Sequence, residues 1–349
     1  MVKNGRVWSK KMASVKPCGC KGIRTCLLCE EEESIQNYIE QDSEVFTFCS
    51  KCELCWPNCP SVDNPPVYLG KFKLYEEFLS IEEEERIVCA IDEIPWMLSQ
   101  SGRKKQDFGP KVNFKKKKGK VGDFRGFPYF SRLIVDRMQL LPELVDFQPI
   151  ELCNLEYSPE RGSAIDPHID DSWIWGERLV TVNLVSNTVL TLTPANSKFC
   201  KCDLELKHHY LYEDILNSKM DTISINTSEN FPTNPNKITF CEYMKTHMLG
   251  SNDSIISSKF QIQAMCNNFR CTEKKTTPSI CINLPPRSLL VLAGCARHNW
   301  YHEIKRQDIK SRRLAMTFRE LANDFITNDV ESKFAKELLN ISKIFCNFS

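Results

Sequence analysis

The sequence predicts a mainly β fold with flanking helices, of the α+β kind, and three stretches carry that expectation. Arg178–Leu192 (RLVTVNLVSNTVLTL) sets Leu179, Thr181 and Asn183 on one side of an extended chain and Val180, Val182 and Leu184 on the other. That is the period-two pattern of a strand in a sandwich. Arg287–Gly294 (RSLLVLAG) is an aliphatic run introduced by Pro285-Pro286 and closed by a glycine. Arg313–Glu320 (RLAMTFRE) alternates again, with Arg313, Ala315, Thr317 and Arg319 opposed to Leu314, Met316 and Phe318.

The helical period belongs to the flanks. Ser80-x-x-Glu83 is a capping box ahead of Ile87, Val88 and Ile91, so a helix opens there and ends by Ile94-Pro95. Leu133, Ile134, Met138 and Leu141 recur at helical spacing and read as core. Phe334, Leu338, Leu339, Ile341 and Phe345 predict a C-terminal amphipathic helix packed on the sheet.

Bulk properties narrow the class. A chain of 349 residues has room for one large β domain with appendages. With 46 Lys and Arg against 45 Asp and Glu, net charge steers the chain toward neither nucleic acid nor membrane, so any such partner must be found in local patches. No apolar run approaches the roughly 18 residues of a spanning helix, and the start MVKNGRVWSKKM lacks the apolar region of a secretory signal. The expectation is a reducing compartment, cytoplasm and nucleus, with no membrane partner. There the 18 cysteines serve as ligands or free thiols rather than disulfides.

Taken in order, residues 1–64 form a Cys-rich N-terminal segment and linker. Cys18, Cys20, Cys26 and Cys29 have the spacing C-x-C-x5-C-x2-C, and Cys49, Cys52, Cys55 and Cys59 have C-x2-C-x2-C-x3-C. Paired thiols at such spacing suit structural zinc; free thiols are an alternative, and the second run also fits iron–sulfur spacing. An acidic stretch between the two runs reads as a solvated helix, and residues 60–70 as a Pro-rich linker. Residues 65–193 and 281–349 make the β domain. Residues 194–280 are rich in Asn, Ser, Thr and Lys without sustained period, which predicts a flexible or disordered insertion. Residues 103–120 are the one strongly basic stretch, nine of eighteen being Lys or Arg. They form either a solvated loop or a lid in which Arg103, Lys104, Lys105, Phe108, Lys111 and Phe114 meet a substrate. The substrate would be phosphate or an acidic protein surface.

The chemistry centres on HIDD. His168 and Asp170 are two residues apart, so an extended backbone points both side chains the same way. His302 in HNWYHEI supplies a third donor; His298 is its rival on the same face. Two imidazoles and a carboxylate make the facial triad that holds Fe(II) and leaves positions open. Arg313 and Arg319 follow on one strand face. Guanidinium groups there need an anion, and the planar fork matches a carboxylate. Trp173 and Trp175 either wall this pocket or fill core.

These residues resemble the AlkB-type Fe(II)/2-oxoglutarate dioxygenases. His168-x-Asp170, WYH ending at His302, and Arg313 with Arg319 match the family pattern. CGCKGIRTCLLC, SQSGRKKQDFGPKVNF and NLEYSPERGSAIDPHIDDSWIWGERLV are similar to the branch called AlkB homologue four. The resemblance covers residues 18–29, most of 65–193, and 281–322. It implies a double-stranded β-helix (jelly roll) and an enzyme, an oxidative demethylase using Fe(II), 2-oxoglutarate and O2. In that enzyme Arg313 would anchor the distal carboxylate, with Arg319 near the other end and Tyr157 touching the cosubstrate. The family has Asn two residues before that tyrosine; here Leu155 stands there, and Asn154 joins Tyr157 only if a bulge intervenes. The implied substrates are N-methyl groups on protein lysine (actin) or on N6-methyladenine in DNA, with formaldehyde and succinate as products. The competing reading is a scaffold that recruits partners through its cysteine modules and carries a vestigial iron site.

Overall fold

The structure, a computed structural model, describes residues 18–21, 24–30, 44–57, 67–195, 278–327 and 332–348. Its strands are β1 (Val45–Cys49), β2 (Leu54–Pro57), β3 (Val67–Tyr68), β4 (Phe72–Tyr75), β5 (Met97–Leu98), β6 (Lys104–Phe108), β7 (Lys111–Asn113), β8 (Lys118–Lys120) and β9 (Phe127–Pro128). They continue with β10 (Pro149–Tyr157), β11 (Ile165–His168), β12 (Trp175–Leu184), β13 (Thr188–Pro194), β14 (Ser279–Leu284), β15 (Ser288–Leu292), β16 (Trp300–Ile304), β17 (Arg313–Leu321) and β18 (Phe345–Cys346). The helices are α1 (Ile81–Asp92), α2 (Arg132–Met138), α3 (Gly294–His298), α4 (Asn323–Thr327) and α5 (Ser332–Ile341).

Two seven-stranded sheets enclose the core. One runs β11-β16-β13-β14-β1-β2-β3 and the other β4-β15-β12-β17-β10-β6-β5. Four adjacent strands of each, β11-β16-β13-β14 and β15-β12-β17-β10, are antiparallel and together line one cavity. This is the jelly roll, closed by facing apolar sides whose residues alternate in and out. The alternation in β12 holds: Val180, Val182 and Leu184 are fully buried on one face, while Leu179 and Thr181 border the cavity on the other.

The expected boundary at residue 64 does not hold. β1 pairs in parallel with β14 (Val45 with Ser279), and Phe46 and Phe48 are buried in the shared core. Residues 44–57 therefore belong to the sheet, and the second half of the domain begins by Ser279 rather than 281. VFTFC is short and runs straight into cysteines, so its sequence carries little strand alternation to read. The C-terminal helix forms as α5, but Phe345 leaves it to pair with Phe127. The acidic stretch between the cysteine runs, Cys59 and most of the 194–280 insertion lie outside the described residues.

The capping box forms at α1: Glu83 N donates to Ser80 Oγ at 3.2 Å, and Ser80 N to Glu83 Oε2 at 2.9 Å. The Glu83 carboxylate also accepts two bonds from Arg137, at 2.9 and 2.6 Å, locking α1 to α2. Arg137 first, and then the Ser80 N–H, push the Glu83 carboxyl down to about 2. A depressed carboxyl stabilises fully above its unfolded value and loses that contribution as it protonates. Glu83→Gln should therefore cost about 1.5–3 kcal/mol at pH 7, the usual worth of a hydrogen bond to a charged group. In denaturant melts the gap to wild type should close as pH falls from 4.5 toward about 2.

Candidate active site

β11 and β16 are antiparallel neighbours, and their register sets His168 directly opposite His302. The two rings lie 4.2 Å apart between centroids. Asp170, just past β11, brings Oδ1 within 3.4 Å of His168 Nε2, and the donor atoms of all three residues lie within 4.8 Å of one another. His168 Nδ1 lies 2.8 Å from the Asp166 carbonyl. As the donor of that bond it leaves Nε2 free to face a metal, the second-sphere arrangement of metal-bound imidazoles. His302 Nδ1 is buried with no hydrogen-bond partner among the described residues. Burial, and then His168, push the His302 imidazole down to about 3, so it is neutral at physiological pH, as a ligand must be. Donor set, convergence and orphaned nitrogen all fit Fe(II).

His298 is not part of this group. It ends α3, with Nε2 3.0 Å from Glu177 Oε2.

The arginines face the cavity as the alternation of β17 requires, but they do different work. Arg319 donates from Nε to Asp170 Oδ2 at 2.7 Å and from Nη1 to Glu151 Oε2 at 2.6 Å, with its guanidinium 5.6 Å over the Trp175 ring. Burial alone would lower its affinity for the proton; Asp170 and Glu151 reverse that and hold it well above the usual range. Burial would likewise raise Asp170, yet Arg319 and the imidazoles hold it well below, as a carboxylate. Arg319 therefore positions Asp170, and the described bonds of its guanidinium go to protein carboxylates.

Arg313 has no carboxylate partner among the described residues. It is 2% exposed, its Nε donates to Asn183 Oδ1 at 2.6 Å, and the Tyr157 ring lies 4.7 Å from its guanidinium. Burial lowers its affinity for the proton, with Tyr157 only partly opposing. A desolvated guanidinium without an anion is expensive, and here it borders the same cavity as the triad. Leu155, Leu179, Leu290, Leu292 and Ile304 make much of that wall apolar.

Several expected site residues fall elsewhere. β10 runs in unbroken register from Leu152 to Tyr157, without the bulge that Asn154 needed. Asn154 therefore points away from the cavity and donates from Nδ2 to Gln106 Oε1 at 2.9 Å, while Tyr157 borders the cavity. Asn154→Ala should leave the KM for 2-oxoglutarate unchanged and destabilise the fold by about 1–3 kcal/mol, since Gln106 Oε1 loses its donor in the interior. Arg103 is buried 6.0 Å from the Tyr157 ring, and Phe108 is core against Phe348, so neither lies on a solvent-facing lid. Lys104, Lys105 and Lys111 are ion-paired with Glu156, Asp107 and Asp123. Phe114 does stay exposed, edge-on to Trp173 at 6.3 Å, beside exposed Lys115, Lys116, Lys117 and Lys118. Trp175 is core and Trp173 half-buried.

The cysteine runs also part company. The thiols of Cys18, Cys20, Cys26 and Cys29 all lie within 4.8 Å of one another. Cys49, Cys52 and Cys55 form no such group among the described residues. Cys55 pairs with Phe48 rather than Cys49, and strand alternation turns it into the apolar core.

Three residues of this site went unread in the sequence. Asn183 had a signal, a polar residue in step with Leu179 and Thr181 on the cavity face. Glu151 and Arg297 had none. Arg297 is fully buried, donates from Nη1 to the Asp170 carbonyl at 2.8 Å, and has no partner for Nε and Nη2 among the described residues.

No family profile matches the chain. It is, however, 37% identical over 346 residues to the mouse "Alpha-ketoglutarate-dependent dioxygenase alkB homolog 4", covering 96% of this chain and 97% of the relative. To the human protein of the same description it is 38% identical over 335 residues, 95% of each chain. This chain belongs to the alkB homolog 4 family. It is a 2-oxoglutarate-dependent dioxygenase, and its His168, Asp170 and His302 converge closely enough to hold a metal ion. The chain is also 29% identical over 354 residues to a Caenorhabditis elegans "DNA N6-methyl adenine demethylase", covering 94% of each. A solved structure described as "The structure of OsALKBH1" aligns with 71% of this chain and 97% of its own, with 10% identity and a TM-score of 0.36.

Proposed function

We propose that this alkB homolog 4 member removes the N-methyl group of N6-methyladenine in DNA, releasing formaldehyde and succinate. The observation that carries the demethylase reading is one cavity lined both by the His168, Asp170 and His302 triad and by Arg313, which has no carboxylate partner among the described residues. Iron bound by the triad, with 2-oxoglutarate and O2, supplies the oxidising power that the protein's own side chains lack. Arg313 takes the far carboxylate of 2-oxoglutarate, fixed by Asn183 and by the Tyr157 ring. Arg319 keeps Asp170 ionised and aimed. The leucine and isoleucine walls exclude water from that end, which strengthens every charge contact inside.

Two observations favour DNA. The C. elegans relative is described by that activity. The Lys115–Lys118 tip, free of ion pairs among the described residues and next to Phe114 and Trp173, offers cations for phosphates and rings for a base. Zinc on Cys18, Cys20, Cys26 and Cys29 completes the proposed metal content, supported by their convergence. The test is succinate and formaldehyde release by iron-loaded enzyme given N6-methyladenine DNA, methyl-lysine actin, or neither. DNA should stimulate both products in equal amount. Stimulation by actin alone would transfer the reading to protein lysine, and silence with both would overturn demethylation of either substrate.

A further inference from the structure

We propose that the ion held by Cys18, Cys20, Cys26 and Cys29 is a clamp on the two strands that carry the iron ligands. The inference rests on the zinc and iron assignments above and extends them to a structural dependence of one site on the other.

The thiol cluster has the local geometry of a zinc knuckle. Cys29 N donates to Cys26 O at 3.0 Å, and Cys26 N reaches Cys29 Sγ at 3.4 Å, so the C-x2-C turn aims both sulfurs at one point. Cys18, Cys20 and Cys26 are buried, and the apolar cluster they form contains cysteines alone. Residues 18–21 and 24–30 include no helix or strand. A segment that buries so little apolar surface needs a metal to define it, as small zinc modules do.

What the knuckle touches gives it a role. Leu27 N donates to Arg161 O at 3.2 Å, in the turn between β10 and β11. Gly162 in that turn has φ +59°, and a Cβ there would lie 2.5 Å from Leu27 Cγ. Gly102, at φ +70°, is as tightly placed: a Cβ would meet Arg161 O at 2.5 Å and Cys26 Cβ at 3.1 Å. Arg24 pairs with Asp166 at 3.6 Å, and Asp166 is the residue whose carbonyl orients His168. Glu30 takes two bonds from Arg306 at 2.9 and 2.6 Å, two residues past the end of β16, which carries His302. The knuckle thus holds the start of β11, the edge strand, and the exit of its neighbour β16, and these two strands place His168 opposite His302.

The experiment uses the full chain. Mass spectrometry should find a single zinc per chain, lost in Cys26→Ser and kept in Glu30→Gln, whose four cysteines are intact. Cobalt substitution should give the absorption of a tetrathiolate site. Backbone hydrogen exchange reads the clamp. Exchange at 161–168 and 302–306 should quicken by about tenfold in zinc-stripped wild type and in Glu30→Gln, with the 111–120 hairpin as internal reference. If Cys26→Ser does not fold, the stripped wild type and Glu30→Gln carry the test. Zinc absent, or unchanged by Cys26→Ser, overturns the site. Zinc present with unchanged exchange in both overturns the clamp. Neither readout involves a methylated substrate, so failure here leaves the demethylase reading standing, and a failed substrate assay leaves the clamp standing.

Discussion

Arg313→Met should raise the KM for 2-oxoglutarate by between about 30-fold and several thousand-fold while leaving the ligand-free protein near its wild-type melting temperature. The first half follows from what a buried charge pair is worth: removing one partner costs about 2–5 kcal/mol, at 1.4 kcal/mol per factor of ten. The second half follows from the state of Arg313 without a ligand. Its guanidinium is buried with no carboxylate partner among the described residues, and burial already lowers its affinity for the proton. Replacing it relieves that desolvation, while Asn183 Oδ1 loses the bond it accepts at 2.6 Å. These effects oppose one another, so the net change is small. The discriminating measurement is thermal unfolding with and without 2-oxoglutarate. Wild type should melt higher when the ligand is added, because a ligand that binds only the folded state stabilises it. Arg313→Met should not respond. A variant that melted far lower on its own, and still gained from 2-oxoglutarate, would make Arg313 a structural residue.

Arg319→Leu should behave in the opposite way, as a severe loss of stability. Arg319 stands between Asp170 and Glu151 at 2.7 and 2.6 Å, with both carboxylates largely enclosed. Taking away the guanidinium that both carboxylates bond leaves each without that partner, and breaking such a pair costs about 3–5 kcal/mol. Glu151 shows how narrow the balance is, because burial outweighs Arg319 and already raises its carboxyl. Adding Glu151→Gln to Arg319→Leu should recover part of the stability, since one of the stranded charges is gone. Iron affinity should not recover, because Asp170 would still lack the donor that holds Oδ2. Denaturant melts paired with iron titration separate the two effects. Full recovery of iron binding in the double variant would show that Arg319 acts on the fold alone.

Strand alternation treats the two arginines alike, and only their surroundings show what each one bonds. Alternation in RLAMTFRE sufficed to place both on one face, since a strand turns each second side chain the same way wherever it sits. The strand could not reveal which carboxylates would stand across from it. Glu151 is on β10 and Asp170 lies beyond β11, and their meeting with Arg319 depends on the packing of distant segments. Asn154 fell to the same cause. Its orientation turned on one residue of register, and β10 proved regular there. Which cations of the basic stretch stay free was not legible, because a count of lysines does not contain their partners: Lys104, Lys105 and Lys111 each meet a carboxylate.

What the sequence by itself determined was the set of donors and the period of the strands that carry them: His168, Asp170 and His302, the paired arginines, and the alternation that made the domain mainly β. Those are local properties, fixed by residue type and backbone geometry. Tertiary structure decided which cysteines converge among the described residues. It also decided which arginine lacks a carboxylate partner there and that the cysteine knuckle sits against the strands that carry the triad. Each of these depends on distances between segments far apart in the chain, and electrostatics and metal binding act through such distances rather than through order along the backbone.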